Sequence, residues 1–166
     1  MRWLVDGYNV IRRDTSLAAR EHESLEAGRQ ALCRLLSTAA RLSGDQFTIV
    51  FDGNRVGGST GGGAGVRVIF SSARERADQV LARMANRGVA VVSNDREVRQ
   101  AASRAGATAI TADQFLDRLR QPPSGPVSEK DKDDDTPPRQ KKGNPRRLPK
   151  KARAAARALR HLNQPR

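Results

Sequence analysis

The sequence predicts an α/β fold: a mostly parallel sheet with helices on both faces, ending in a disordered basic tail. Two observations lead there. Through residue 120, short apolar runs with strand character alternate with stretches whose apolar residues recur at helical spacing, the order of parallel βαβ units. The apolar runs also finish alike, by running into acid. Trp3-Leu4-Val5 stops at Asp6-Gly7, and Phe47-Thr48-Ile49-Val50-Phe51 stops at Asp52-Gly53. Val66-Arg67-Val68-Ile69-Phe70 leads through Ser71 into Glu75-Arg76-Ala77-Asp78, and Val89-Ala90-Val91-Val92 ends at Ser93-Asn94-Asp95. In an open parallel sheet the carboxyl ends of the strands share one edge, where ligands bind.

In chain order, the first strand is centred on Trp3-Leu4-Val5, and Arg12 to Ala19 is polar without a clear period. A helix opens at Leu25. Its apolar side carries Leu25, Leu32, Leu35, Leu36, Ala39 and Leu42, with Arg29, Arg34 and Arg41 elsewhere on the wheel. Ser43-Gly44 stops it, Gly44 being suited to the left-handed conformation after a last turn. The second strand is 47–51. Residues 53–65 form a Gly-rich stretch that lacks the Gly-Lys-Ser/Thr ending of a phosphate loop and precedes a strand rather than a helix. It reads as a surface loop, free to lie against a bound nucleic acid.

The third strand, 66–70, leads to a helix over 73–87 with Ala77, Val80, Leu81 and Met84 on one face and Gly88 closing it. The fourth strand is 89–92. A helix over 95–105 ends at Gly106, a short strand follows at 108–110, and a helix over 112–120 buries Phe115, Leu116 and Leu119. Residues 121–147 are a linker rich in Pro, Lys, Asp and Gly, with almost nothing to bury, so disorder is expected there. From Pro149 helix propensity returns. Because isolated helices of about 12–15 residues are marginal, the segment 148–166 is expected to order only on a partner.

The formal net charge is +13, and the 46 residues from 121 on hold +8 of it. That excess calls for an anionic partner, of which nucleic acid is the commonest. Cys33 is the only cysteine, which excludes an internal disulfide and a Cys-rich zinc site, and it lies on the apolar side of its helix. Asp6 interrupts the opening apolar run, so it does not read as a signal peptide. No run approaches the roughly 18 apolar residues of a membrane span. A cytoplasmic, soluble protein is expected.

Asp6, Asp52, Asp78 and Asp95 are the candidate site acids, with Glu75 a fifth. Hard cations such as Mg²⁺ or Mn²⁺ take oxygen ligands, keep several waters and need only one or two direct carboxylates. Such ions drive phosphodiester hydrolysis by activating water and stabilising charge on the phosphate. Each acid also has a structural alternative. Asp6-Gly7 and Asp52-Gly53 suit turns. Glu75 completes Ser72-x-x-Glu75, a capping box, and Asp78 can pair with Arg74. Asp95 suits an N-cap, unless Asn94 with Glu97 forms the cap. Asn9 either orients Asp6, contacts a phosphate, or serves as a polar turn residue. Ser93 and Asn94 either position a water or only shape their loop. His22 and His161 lie in polar surroundings and suit solvated surface positions.

Asp6-Gly7-Tyr8-Asn9-Val10-Ile11, Val50-Phe51-Asp52-Gly53, Glu75-Arg76-Ala77-Asp78 and Ser93-Asn94-Asp95-Arg96 resemble, in order and spacing, the NYN domain, and the chain looks most like its bacterial YacP-like branch. The resemblance covers about residues 1–120. It implies a three-layer α/β/α sandwich akin to PIN and flap-nuclease domains, and metal-dependent RNA cleavage, in this branch of messenger RNA at the ribosome. It implies that Asp6, Asp52, Asp78 and Asp95 are the catalytic, metal-binding acids, with Asn9 and Glu75 in support. The cofactor implied is Mg²⁺ or Mn²⁺, without a small organic molecule. Two features depart from the pattern: Arg76 stands where a small hydroxyl residue is expected, and the Gly-rich insertion 57–65 is unusual.

Arg12, Arg13, Arg74, Arg76 and Arg96 lie close in sequence to the acids and are candidate phosphate contacts, or else solvated surface charges. The tail, with Lys150, Lys151, Arg153 and Arg157, is either an RNA or ribosome tether or a solubilising segment. Two rivals to the nuclease stand. One is an RNA- or ribosome-binding module of the same fold without catalysis. The other is a nuclease for structured DNA, disfavoured because the chain lacks extra helical elements to grip a duplex.

Overall fold

Trp3, Leu4 and Val5 are all buried, which is what a central strand requires when both faces of its sheet are covered. They form the middle of β1, Arg2–Asp6, in a computed structural model that describes residues 1–53, 62–72, 74–121 and 149–162. β1 is flanked by β2 (Gln46–Phe51) and β4 (Val89–Val92), with β3 (Val66–Phe70) and β5 (Thr108–Ile110) outside them. All four pairings are parallel. The order β3-β2-β1-β4-β5 reverses direction between β1 and β4, the place where open sheets of this kind form a crevice at the strand ends. The register puts Asp6 opposite Val50 and Val5 opposite Val92, so the ends of β1, β2 and β4 are nearly level.

Alternation along the strands divides the core into two. Trp3, Val5, Phe47, Ile49, Phe51, Ala90, Val92 and Ile110 face one side. There they meet α1 (Gly7–Ile11), α2 (Thr15–Glu23), α3 (Leu25–Ser43), α6 (Ala112–Arg120) and α7 (Lys150–His161). Trp3 stands at the centre of that layer, its ring 5.4 Å from Phe115 and 6.1 Å from Phe47. Leu4, Val50, Val89 and Val91 face the other side, against α4 (Ala77–Met84) and α5 (Arg96–Arg104). The three-layer α/β/α sandwich is therefore as expected.

Several local expectations are corrected. The polar stretch after β1 is helical. α1 begins directly at Gly7, and α2 is capped by Asp14, whose carboxylate accepts from the backbone N–H of Ser16 and Leu17. Only Leu17 of α2 is buried, so there was no apolar period to read. On α3 the buried stripe is rotated from the expected one. Leu25 and Leu42 are exposed, while Arg29 is buried beside Leu32, Cys33 and Leu36. Gly44 does take the left-handed conformation, at φ 69°. α4 is shorter than the expected 73–87: Ser72 closes a turn onto Glu75 instead of capping the helix, and Ala85 ends it before Gly88.

The largest correction concerns the tail. Instead of waiting for an outside partner, Lys150–His161 packs on the chain's own core through Ala155, Ala158 and Leu162, and Arg118 Nε donates to the Leu159 carbonyl at 2.9 Å. The expected linker 121–147 beyond Gln121, residues 54–61 of the Gly-rich stretch, and residues 148 and 163–166 of the tail lie outside the described residues. No helix among the described residues is long and apolar enough to cross a membrane.

Candidate active site

Asp6 is both the last residue of β1 and the N-cap of α1, so the strand-to-helix turn holds its carboxylate at the crevice between β1 and β4. Gly7 is required there, because a Cβ would strike the Phe51 ring. One Asp6 oxygen, Oδ1, accepts from the Asn9 backbone N–H at 3.3 Å, and Oδ2 accepts from Ser93 Oγ at 2.9 Å. Burial raises the Asp6 carboxyl above its ordinary pKa; the Ser93 and Asn9 hydrogen bonds oppose that shift, and the charges of Asp95 and Asp52 add to it.

Ser93 is fully buried and joins two acids. While donating to Asp6 it accepts from the Asp95 backbone N–H at 3.0 Å. Asp95 is the N-cap of α5, its Oδ1 accepting from Glu97 N–H at 2.6 Å and Val98 N–H at 3.4 Å. Among the described residues Oδ2 has no hydrogen-bond partner. Asn94 pins the same loop on two sides. Its backbone N–H donates to Asn9 Oδ1 at 2.8 Å, its Nδ2 donates to Asp113 Oδ2 at 2.7 Å, and its Oδ1 accepts from Ala112 N–H at 2.9 Å. The Asn9 side chain thus holds the loop, and it is the Asn9 backbone that reaches Asp6.

Asp52 follows β2 and is exposed. Ser71, buried at the end of β3, donates to Asp52 Oδ1 at 2.7 Å and accepts from the Gly53 N–H at 3.0 Å. The Ser71 hydrogen bond is the chief cause that lowers the Asp52 carboxyl pKa, with the Ala77 N–H at the start of α4 and the Arg76 charge in support.

The other expected members stand further out. Asp78, in the first turn of α4, is half exposed and 3.9 Å from Arg76 rather than paired with Arg74. Glu75 is neither a helix cap nor among the crevice acids. It pairs with Arg83 at 2.9 Å, which lowers its pKa. Of the cations, Arg13 is engaged by Asp113 at 2.8 Å, and Arg12 lies over the Tyr8 ring, 3.4 Å from Glu21. Arg74, Arg76 and Arg96 are exposed around the acids. Lys150, Lys151, Arg153 and Arg157 are exposed on α7, and Arg157 shares a hollow with Met1 and Thr108, at the opposite, amino edge of the sheet.

Three residues were missed by sequence reasoning. Ser71 was legible only as the residue after a strand, the same place that the acids occupy. Asp113, the first-turn acid of α6, is held below the ordinary carboxylate range by Arg13 and Asn94. Arg29 lies behind the site with its Nε and Nη2 on Tyr8 Oη at 2.9 and 2.6 Å, packed among the rings of Tyr8, Phe51 and Phe70.

The donors are all hard oxygens, and Asp6 senses both Asp52 and Asp95 as repelling charges, so a cation fits the edge. Among the described residues no group of three or more His, Cys, Asp and Glu side chains is placed to enclose a metal. The fit is to a hydrated ion held by one or two carboxylates, not to a cage.

A family model described as the YacP-like NYN domain matches residues 3–161, which takes in α7. Two crystal structures of Rae1 (YacP) from Bacillus subtilis, one of them of a mutant, are similar in fold. Each is 26% identical, covers 72% of this chain and superposes with a TM-score of 0.61; the share of the other chain covered is 74% for the mutant and 73% for the other structure. No curated protein matches the chain.

Proposed function

Since the chain belongs to the YacP-like NYN domain family, within the PIN-like nucleases, we propose that it is a metal-dependent endoribonuclease whose active site is the crevice between β1 and β4. The observation that carries this is the Ser93 hydroxyl, which ties Asp6 of β1 to the Asp95 loop of β4 across the point where strand order reverses. Asp6, Asp52 and Asp95 hold the ion, Mg²⁺ or Mn²⁺, directly or through water, and Asp78 joins them from the first turn of α4. When bound, such a cation stabilises negative charge on the scissile phosphate and acidifies water.

The chain's own groups do the rest. Ser93 and Ser71 fix the Asp6 and Asp52 carboxylates by their hydrogen bonds, and Asn94 with Asn9 keeps the β4 loop from shifting. Arg74, Arg76 and Arg96 meet the RNA backbone beside the site. Lys150, Lys151, Arg153 and Arg157 meet RNA, that of the ribosome included, away from it. The setting is the cytoplasm and the substrate messenger RNA.

The test is cleavage of an end-labelled single-stranded RNA with Mn²⁺ or Mg²⁺. Cutting is expected to stop in EDTA and to fall at least about 100-fold in Asp6→Asn and Asp52→Asn, the scale of losing a group that stabilises transition-state charge. A second reading is an RNA-binding module of the same fold without catalysis, to which the exposed arginines beside the acids and the cations of α7 would equally belong. Binding without cutting, even with ribosomes and translated message, would establish it. Competition with DNA of the same sequence separates either from a DNA nuclease.

A further inference from the structure

The amino edge of the sheet, opposite the acids, carries a groove of about 620 Å³ whose walls, among the described residues, hold three arginines and no carboxylate, one of the three, Arg83, being paired with Glu75. Arg2 opens β1, Arg67 lies on β3 level with Thr48 of β2, and Arg83 comes from the last turn of α4. Gln46 and Asn86 complete the polar rim. The groove exists because α4 lies over β1 and β2 and is only eight residues long. The face of β3 at Arg67 is left exposed. Beyond Met1 a second hollow of about 460 Å³ continues the edge, with Arg157 and His161 of α7 on its wall. α7 has no acid along its length.

We propose that this edge is a second RNA surface, which grips the phosphodiester backbone of the same strand that the acidic edge cuts. The inference rests on the RNA reading above and adds where the rest of the strand is held. Charge complementarity selects the occupant. Arg2 and Arg67 are exposed and carry the free charge of the groove, while Arg83 is held by both carboxylate oxygens of Glu75 through Nε and Nη2; guanidinium groups suit phosphate oxygens bidentately. The apolar floor of Leu4, Val66 and Met84 accommodates sugar and base faces without selecting a sequence. A strand of five residues at about 3.3 Å each sets the two edges roughly 16 Å apart, so an RNA must be long enough to wrap from one to the other.

The experiment measures binding of a long single-stranded RNA in EDTA, where nothing is cut, as salt is raised. Two variants that lose the same charge are compared, Arg2→Gln/Arg67→Gln in the groove and Arg34→Gln/Arg41→Gln on the outer face of α3. Each phosphate contact on a single strand contributes about 0.7 to the slope of log affinity against log salt, so the groove variant is expected to lose about 1.4 and the α3 variant nothing. Equal slopes for the groove variant and the unaltered chain overturn the proposal, as does an equal loss in both variants. So does selective loss of binding to an acidic peptide with RNA binding unchanged. The readout does not depend on cleavage, so failure of the nuclease reading is recognised separately, by the metal assay.

Discussion

Asp6 sits where three physical demands meet. It ends a buried strand, caps a helix, and faces Asp52 and Asp95 from a site that burial has made poor in water. Its carboxyl is raised, so in the metal-free protein the folded state binds a proton more tightly than the unfolded chain. Stability therefore falls as pH rises through the window between the ordinary and the raised value, and the deficit persists above it. Asp6→Asn removes the charge and keeps an acceptor for the Asn9 N–H. In EDTA its melting temperature should exceed that of the unaltered chain at pH 7.5, and the gap should close toward pH 4; a variant that melts lower at pH 7.5 would show that the hydrogen bonds outweigh burial. Asp52 is shifted the other way by Ser71, which shows how two acids a few residues from equivalent strand ends acquire different chemistry.

Among the elements, α7 departs furthest from expectation. A twelve-residue helix with this many cations is marginal alone, and what holds it is the burial of Ala155, Ala158 and Leu162 and the Arg118 bond to the Leu159 carbonyl. Leu162 is fully buried. Leu162→Ala should cost about 2–5 kcal/mol, read as a lower urea midpoint with an unchanged slope. An unchanged midpoint would mean that α7 is not part of the cooperative unit. α3 shows the opposite kind of surprise. Its period is strong, yet the buried stripe includes Arg29, because Tyr8 and Glu26 pair with the guanidinium and three rings surround it.

At the scale of the molecule, one sheet carries acids at one edge and basic hollows at the other, with a helical layer on each face. Cys33 is buried in the larger layer, and burial, with the Glu26 charge adding, pushes its thiol up to about 11. The thiolate is the reactive form, so a thiol reagent at pH 8 should leave the native protein untouched and label Cys33 at the rate of global unfolding across a urea series. Rapid labelling without denaturant would show that α3 opens locally.

What the sequence by itself determined was the set of strands, the alternation with helices and the acids that follow β1, β2 and β4. These are local: an apolar run such as Val89–Val92 states its own burial, and a parallel sheet gathers carboxyl ends at one edge whatever the order of its strands. Only the tertiary structure decided which residues meet there. Ser93 reaches Asp6 across 87 positions and Ser71 reaches Asp52 across 19, while Glu75, close to the site in sequence, is turned away to Arg83. The same holds for Arg29 and for α7, whose burial depends on partners supplied by other layers. Pattern along a chain records how each segment meets water, but strand order and register determine which segments meet each other.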